Sequence, residues 1–252
     1  MSNFKRKSKI FLQTRDRKIL NFLFSNKLAT VNQINTAVFK NVRTSYAYLR
    51  LAKLRDAGYI ISDVTPYQSV IQQIYLLSSK GLNYLINYDG LDTHHTQIRS
   101  DSRVHDLALV DILQRLKNLD CMTKIVTEND LVGLVDYENL KPYSTFKALQ
   151  SDGYCQLRSK RGLLNVAVEY EKSLKIKKRI AEKMLNYSYE RDVDLILCIA
   201  DSEQILKRLK QVDKEVYGSH TSKMYFSLTA DVLDSSKQLQ FHHSTKNILS
   251  LG

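Results

Sequence analysis

The hydrophobic positions of the chain follow two successive patterns. In the first segment apolar residues recur at helical spacing. Ile19, Phe22 and Leu23 give "RDRKILNFLFSNK" one apolar side, with Thr14 placed to cap the helix. Thr30 is placed to cap a second helix, "VNQINTAVF", and Thr44 a third, "SYAYLRLAKLRDAG", which Gly58 would end. The runs "YIISDV" and "SVIQQIYLLS" then read as a hairpin turning at Pro66, and "SSKGLNYLINYDG" as a last helix. Helix, helix, helix, hairpin is the order of a winged helix-turn-helix, whose third helix usually enters the major groove of DNA. In that helix Ala47, Leu51 and Leu54 form the inward stripe. Ser45, Tyr46, Leu49 and Lys53 fall roughly opposite and, with Arg43, are the candidates to meet DNA.

"LDTHHTQIRSDS" reads as a polar linker, after which helices and strands alternate. The predicted division is residues 1–90, a linker at 91–102, and a second domain at 103–252. Within it "VHDLALVDILQRLKNL" is helical, "CMTKIVTE" a strand, and "DGYCQLRSKRGLLNVAVEYE" a hairpin turning at Ser159–Gly162. "LKIKKRIAEKMLNYSYERD" reads as a basic helix, "VDLILCIA" as a buried strand, "SEQILKRLKQVDKEV" as a helix and "KMYFSLTADVL" as a strand. The expected fold class is α+β, its second domain an α/β sandwich around a mixed sheet.

One strand poses a chemical question. Side chains alternate along a strand, so in "NVAVEYE" Val166, Val168 and Tyr170 point one way and Ala167, Glu169 and Glu171 the other. Two carboxylates on one face repel unless a positive group lies between them or water covers both. The stretch is therefore either an ordinary solvated face or half of a metal site.

Charge narrows the choice of partner. The 252 residues carry a net charge of +12, a balance that favours a polyanion such as nucleic acid or an anionic membrane surface. Up to Arg55 the basic residues are Lys5, Arg6, Lys7, Lys9, Arg15, Arg17, Lys18, Lys27, Lys40, Arg43, Arg50, Lys53 and Arg55, against Asp16 as the only acid. A field so nearly of one sign is a candidate phosphate-facing surface. No apolar run reaches the length of a membrane span, and "MSNFKRKSK" has no apolar stretch fit for a secretory signal. Cys121, Cys155 and Cys198 form no CxxC and read as reduced, mostly buried thiols of a cytoplasmic protein.

The order strand, hairpin with Asp, strand with Glu-x-Glu, helix resembles the core of restriction-endonuclease-like folds. That superfamily's pattern is Pro-Asp, then Asp or Glu, any residue, and Lys, with carboxylates holding one or two divalent metals against the scissile phosphate. Here Asp152 takes the Asp position, Glu169 the next carboxylate, and Glu171 the place usually filled by lysine; Ser151 stands for the proline. Glu128, at the end of the preceding strand, is a further candidate ligand, and Lys175, Lys177 or Lys178 on the next helix are candidates to reach back. Oxygen ligands of this kind suit Mg²⁺ or Mn²⁺.

Together, "RLAKLRDAGYI", "IYLLSSKGLNYL", "SDG" and "VEYE" resemble the replication-relaxation proteins of mobile elements, most of all the MobC-type relaxases of plasmids. The resemblance covers most of the chain and thins after about Ala200. It implies a site- and strand-specific, metal-dependent nick in double-stranded DNA at a transfer origin. Asp152, Glu169, Glu171 and Lys175 would be catalytic; Glu128, Asp152, Glu169 and Glu171 would hold the metal; Lys177 and Lys178 would grip backbone. An accessory mobilisation protein, a coupling protein and a second copy of the chain are the partners it suggests.

Competing chemistry is weaker. His94-His95 and His242-His243 are adjacent pairs whose members face opposite ways on a strand, and both read as surface residues. His105 reads as structural. Tyr187 and Tyr189, two of 15 tyrosines, read as packing or phosphate contacts. The alternative function is a DNA-binding regulator or replication accessory protein with an inactive nuclease-like domain; a third is an interaction protein using its basic surface on RNA.

Overall fold

The computed structural model describes residues 10–40, 42–160, 162–218, 222–245 and 247–251, so Lys5, Arg6, Lys7 and Lys9 of the basic segment lie outside the described residues. Contacts divide the chain into two units. One runs to Val110 and takes in Gly133–Val135; the other comprises Asp111–Val132 and the chain from Asp136 on.

The first unit begins with α1 (Thr14–Asn26), β1 (Leu28–Thr30) and α2 (Val31–Ile34), which a π-helical turn extends over Asn35–Phe39. It continues through α3 (Thr44–Asp56), β2 (Ile60–Tyr67), β3 (Val70–Leu77) and α4 (Ser79–Tyr88). The three helices and the hairpin keep the expected order. Short β1 was not predicted; it pairs antiparallel with β3, giving the order β1-β3-β2. Ile19, Leu20 and Leu23 of α1 meet Ala47, Leu51 and Leu54 of α3 in the core, so the inward stripe of the third helix is as expected.

Some boundaries move for local reasons. The N-cap of α1 is Gln13, not Thr14, because the Asp16 carboxylate accepts the Gln13 N–H at 2.7 Å. Thr44 likewise lies inside α3, whose N-cap is Arg43. Thr30 does cap α2: it accepts the Gln33 N–H at 3.3 Å, and the Gln33 side chain accepts the Thr30 N–H at 2.9 Å. Gly58, with φ +80°, ends α3, donating to Arg55 O while Tyr59 N–H returns to Leu54 O. The hairpin turns two residues after Pro66, at Gln68 and Ser69, whose φ values are 50° and 64°. Pro66 sits inside β2, an edge strand, where a residue without an N–H can be accommodated.

Helix α5 (Arg103–Lys117) leads into the second unit. There β4 (Met122–Thr127) is followed by α6 (Glu128–Gly133), α7 (Tyr143–Ala148), β5 (Gly153–Ser159), β6 (Gly162–Glu171) and α8 (Lys177–Tyr189). β7 (Leu195–Ala200), α9 (Glu203–Tyr217), β8 (Met224–Leu228), α10 (Thr229–Leu233), β9 (Leu239–His243) and β10 (Ile248–Leu251) complete it. The strands form one sheet in the order β10-β9-β8-β7-β6-β5-β4. β4, β5 and β6 run antiparallel, whereas β6, β7 and β8 are parallel, with α8 and α9 as the crossovers. The molecule is thus mixed α+β with a mixed sheet. Beyond the expected order lie α6, α7, α10, β9 and β10; "TADVL" forms α10 instead of prolonging β8.

Candidate functional site

The site forms where β5 begins and β6 ends, beneath α8. β5 and β6 pair in the register Gly153 opposite Val168 and Tyr154 opposite Ala167, which carries Asp152 to the position facing Glu169. Residues directly opposite on paired strands share a face, so Asp152, Ala167, Glu169 and Glu171 lie on one side. Asp152 is fixed by its Oδ2, which accepts the Tyr170 N–H at 2.7 Å. Over this face α8 lays Ile180, Met184 and Tyr187, packed in a core with Ala167, Cys198 and Met224.

The acidic face is not a solvated one. Glu169 is 5% exposed and Glu171 8%. Positive groups meet both. The Lys183 ammonium donates to Glu169 Oε2, Tyr187 Oη donates to Glu169 Oε1, and Lys175 Nζ lies 2.7 Å from Glu171. Burial pushes the Glu169 carboxyl up to about 7, against the pull of Lys183 and with the push of Asp152. Burial opposes the charge on Lys183, but Glu169 and Asp152 outweigh it and hold the ammonium above its ordinary value. Burial, and then the Glu169 charge, also hold the Tyr187 hydroxyl well above the usual range. Within the pair, the carboxyl is the member that titrates near neutrality.

Glu169, Glu171, Lys183 and Tyr187 line a cavity of about 400 Å³. Its polar side includes Lys175, Arg179 and Glu182 as well; its apolar side includes Leu149, Met184 and Cys198. Lys175 reaches the Glu171 carboxylate. Lys177 instead pairs with Glu215 at 2.7 Å, and Lys178 lies 4.0 Å from Glu182. Glu128 is the first residue of α6, not the last of β4, and its N–H donates to the Asp152 carbonyl at 3.2 Å. Sequence reasoning missed Lys183. The signal was present: Lys175, Arg179 and Lys183 recur every four residues and share one helical side.

Carboxylate oxygens are donors of the right type for Mg²⁺ or Mn²⁺. The arrangement, however, draws its positive charge from lysine, and among the described residues no group of three or more His, Cys, Asp or Glu is placed to hold a metal ion. As arranged, these residues do not fit a resident divalent ion.

In the first unit Arg43, Ser45, Tyr46 and Lys53 are exposed, and Leu49 is 63% exposed. His94 is exposed, but His243 is a correction to the surface reading. It is buried, with Nε2 3.0 Å from Ser222 O and Nδ1 2.6 Å from Thr245 Oγ1, because β9 turns it inward. Among the described residues no helix is long and apolar enough to cross a membrane. No curated protein and no solved structure matches the chain. The replication-relaxation family model matches residues 20–192, a span that includes Asp152, Glu169, Glu171 and Lys183.

Proposed function

The chain belongs to the replication-relaxation family, and from that premise we propose that it is a relaxase that nicks plasmid DNA, of the MobC type. Family membership points to a role in plasmid replication or relaxation. Relaxing a closed supercoil requires a strand break, so a relaxing protein either cuts or holds DNA for one that does.

The observation that carries the cutting reading is the assembly of Glu169, Glu171 and Lys183 in one pocket, with the Asp152 charge acting on Glu169 and Lys183 from beside it. The lysine missing from the Glu171 position of the restriction-endonuclease-like pattern is replaced from α8 by Lys183. In this reading Glu169, poised near 7, takes the proton of the attacking water. The Lys183 ammonium meets the charge that grows on the scissile phosphate. The first unit acts as a winged helix whose α3 brings Arg43, Ser45, Tyr46 and Lys53 to the transfer origin. An accessory mobilisation protein or a second copy would add specificity, and a coupling protein would receive the nicked strand.

The test is relaxation of a supercoiled plasmid carrying the element's own transfer origin, in Mg²⁺, Mn²⁺ or EDTA. Open circles formed by the wild type, and lost with Asp152→Ala, Glu171→Ala and Lys183→Ala, are expected. Lysine ammonium groups contact both glutamates, and the EDTA arm reads whether nicking needs a divalent ion there as well. Tight binding with the plasmid left closed in every condition overturns the cutting reading.

A second reading is favoured by the lysines that occupy both glutamates: a protein that binds plasmid DNA without cutting it. It predicts salt-sensitive binding unchanged by Asp152→Ala and no open circles with any metal.

A further inference from the structure

The ladder Lys175, Arg179, Lys183 lines the cavity at intervals of four residues. Its outer members are engaged, Lys175 by Glu171 and Lys183 by Glu169. The remaining acid of the lining, Glu182, lies 4.0 Å from Lys178. Arg179, between the two engaged lysines, is exposed, and among the described residues no hydrogen bond or ion pair joins it to an acid. Each of the two buried glutamates is thus met by a lysine of the lining, and Arg179 is the lining cation that no acid among the described residues engages.

The geometry points to Arg179 as the residue that binds a DNA phosphodiester in this cavity, a role that rests on the nicking reading for its catalytic meaning. A guanidinium presents its donors in a planar fork that matches two phosphate oxygens. A carboxylate-lined pocket would ordinarily repel a phosphate. Here the lysines suppress that repulsion, and the chain's net charge of +12 draws a polyanion rather than a small acid. The cavity of about 400 Å³ is too small for a duplex and suits one sugar-phosphate unit of a strand. Arg179 therefore positions the phosphate beside Glu169 and Lys183; it does not itself move a proton.

The experiment compares wild type, Arg179→Ala, Arg179→Lys and Lys207→Ala in binding to the element's supercoiled plasmid across a salt series, with relaxation measured in parallel. Lys207 is the control, an exposed lysine of α9 outside the cavity lining. Loss of one phosphate contact lowers the steepness of log affinity against log salt by about 0.9, with roughly tenfold weaker binding at moderate salt. Arg179→Ala should show both changes, Arg179→Lys should recover the slope, and Lys207→Ala should match wild type. An Arg179→Ala protein with wild-type slope overturns the inference, as does an equal loss in Lys207→Ala. If wild type leaves the plasmid closed while Arg179→Ala alone loses the contact, the nicking reading falls and the phosphate site stands. If wild type nicks and Arg179→Ala neither binds nor nicks differently, the phosphate site falls and the nicking reading stands.

Discussion

Asp16 lies fully buried against Arg50, which donates to Oδ1 from Nε at 2.6 Å and to Oδ2 from Nη2. The pair ties α1 to α3. It also accounts for the only acid among the first 55 residues, which is turned inward and does not oppose the basic surface outside.

Removing one partner of such a pair strands the other in the interior. Asp16→Ala should cost about 3–5 kcal/mol, read as an earlier unfolding transition of the first unit in urea. Replacement of both residues by apolar ones should cost markedly less. A single variant as stable as wild type would show that the pair contributes little to holding α1 on α3.

The Glu169 carboxyl should make stability depend on pH in an unusual direction for an acid. Its folded value, about 7, lies above the ordinary 4.5. Between those values the folded protein keeps a proton that the unfolded chain has released. Its contribution is therefore fully present below about 4.5 and is lost as pH rises through about 7. Urea unfolding in EDTA at pH 5 and pH 7.5 should show that fall in wild type and a flatter dependence in Glu169→Gln. Identical profiles would count against the buried carboxyl as the source.

Lys183 and Glu169 should also be energetically coupled. Lys183→Met leaves a buried carboxylate without its ammonium, and Glu169→Gln leaves the converse. The double variant should be more stable than the sum of the single losses predicts, by about 1–3 kcal/mol. Strict additivity would mean that the contact contributes nothing.

At the hairpin tip Gln68 and Ser69 both hold positive φ, 50° and 64°. Two such residues form the turn that Asn-Gly adopts most readily. Gln68→Asn with Ser69→Gly should raise stability by about 0.5–1 kcal/mol without altering the β2–β3 register. A loss of stability would mean that the side chains removed hold the turn.

Legibility followed the strength of local pattern. The stripe Ala47, Leu51, Leu54 and the hairpin closed by Ser159 and Gly162 repeat often enough to be read directly. β9 escaped because its inward residues, Leu239, Phe241 and His243, alternate over only five positions and end in a histidine that looks polar. β1 has three residues and exists only because β3 pairs with it. At the site the carboxylates were visible as residues two apart on a strand. Their lysines were not, because pairing Glu169 with a residue 14 positions later depends on how α8 crosses the sheet. The buried environment that pushes Glu169 up likewise comes from α8 and β7, which the strand itself does not encode.

Segment Gly133–Val135 belongs to the first unit although it follows β4 and starts at the last residue of α6. Its backbone completes bonds there: His94 N–H donates to Gly133 O at 2.9 Å, and Val135 N–H to Asp92 O at 3.2 Å. As the polypeptide leaves the ribosome, the first unit thus cannot close these bonds until residue 135 has emerged. A fragment cut at the linker lacks the residues that finish it. The two units are interleaved in the order of their synthesis.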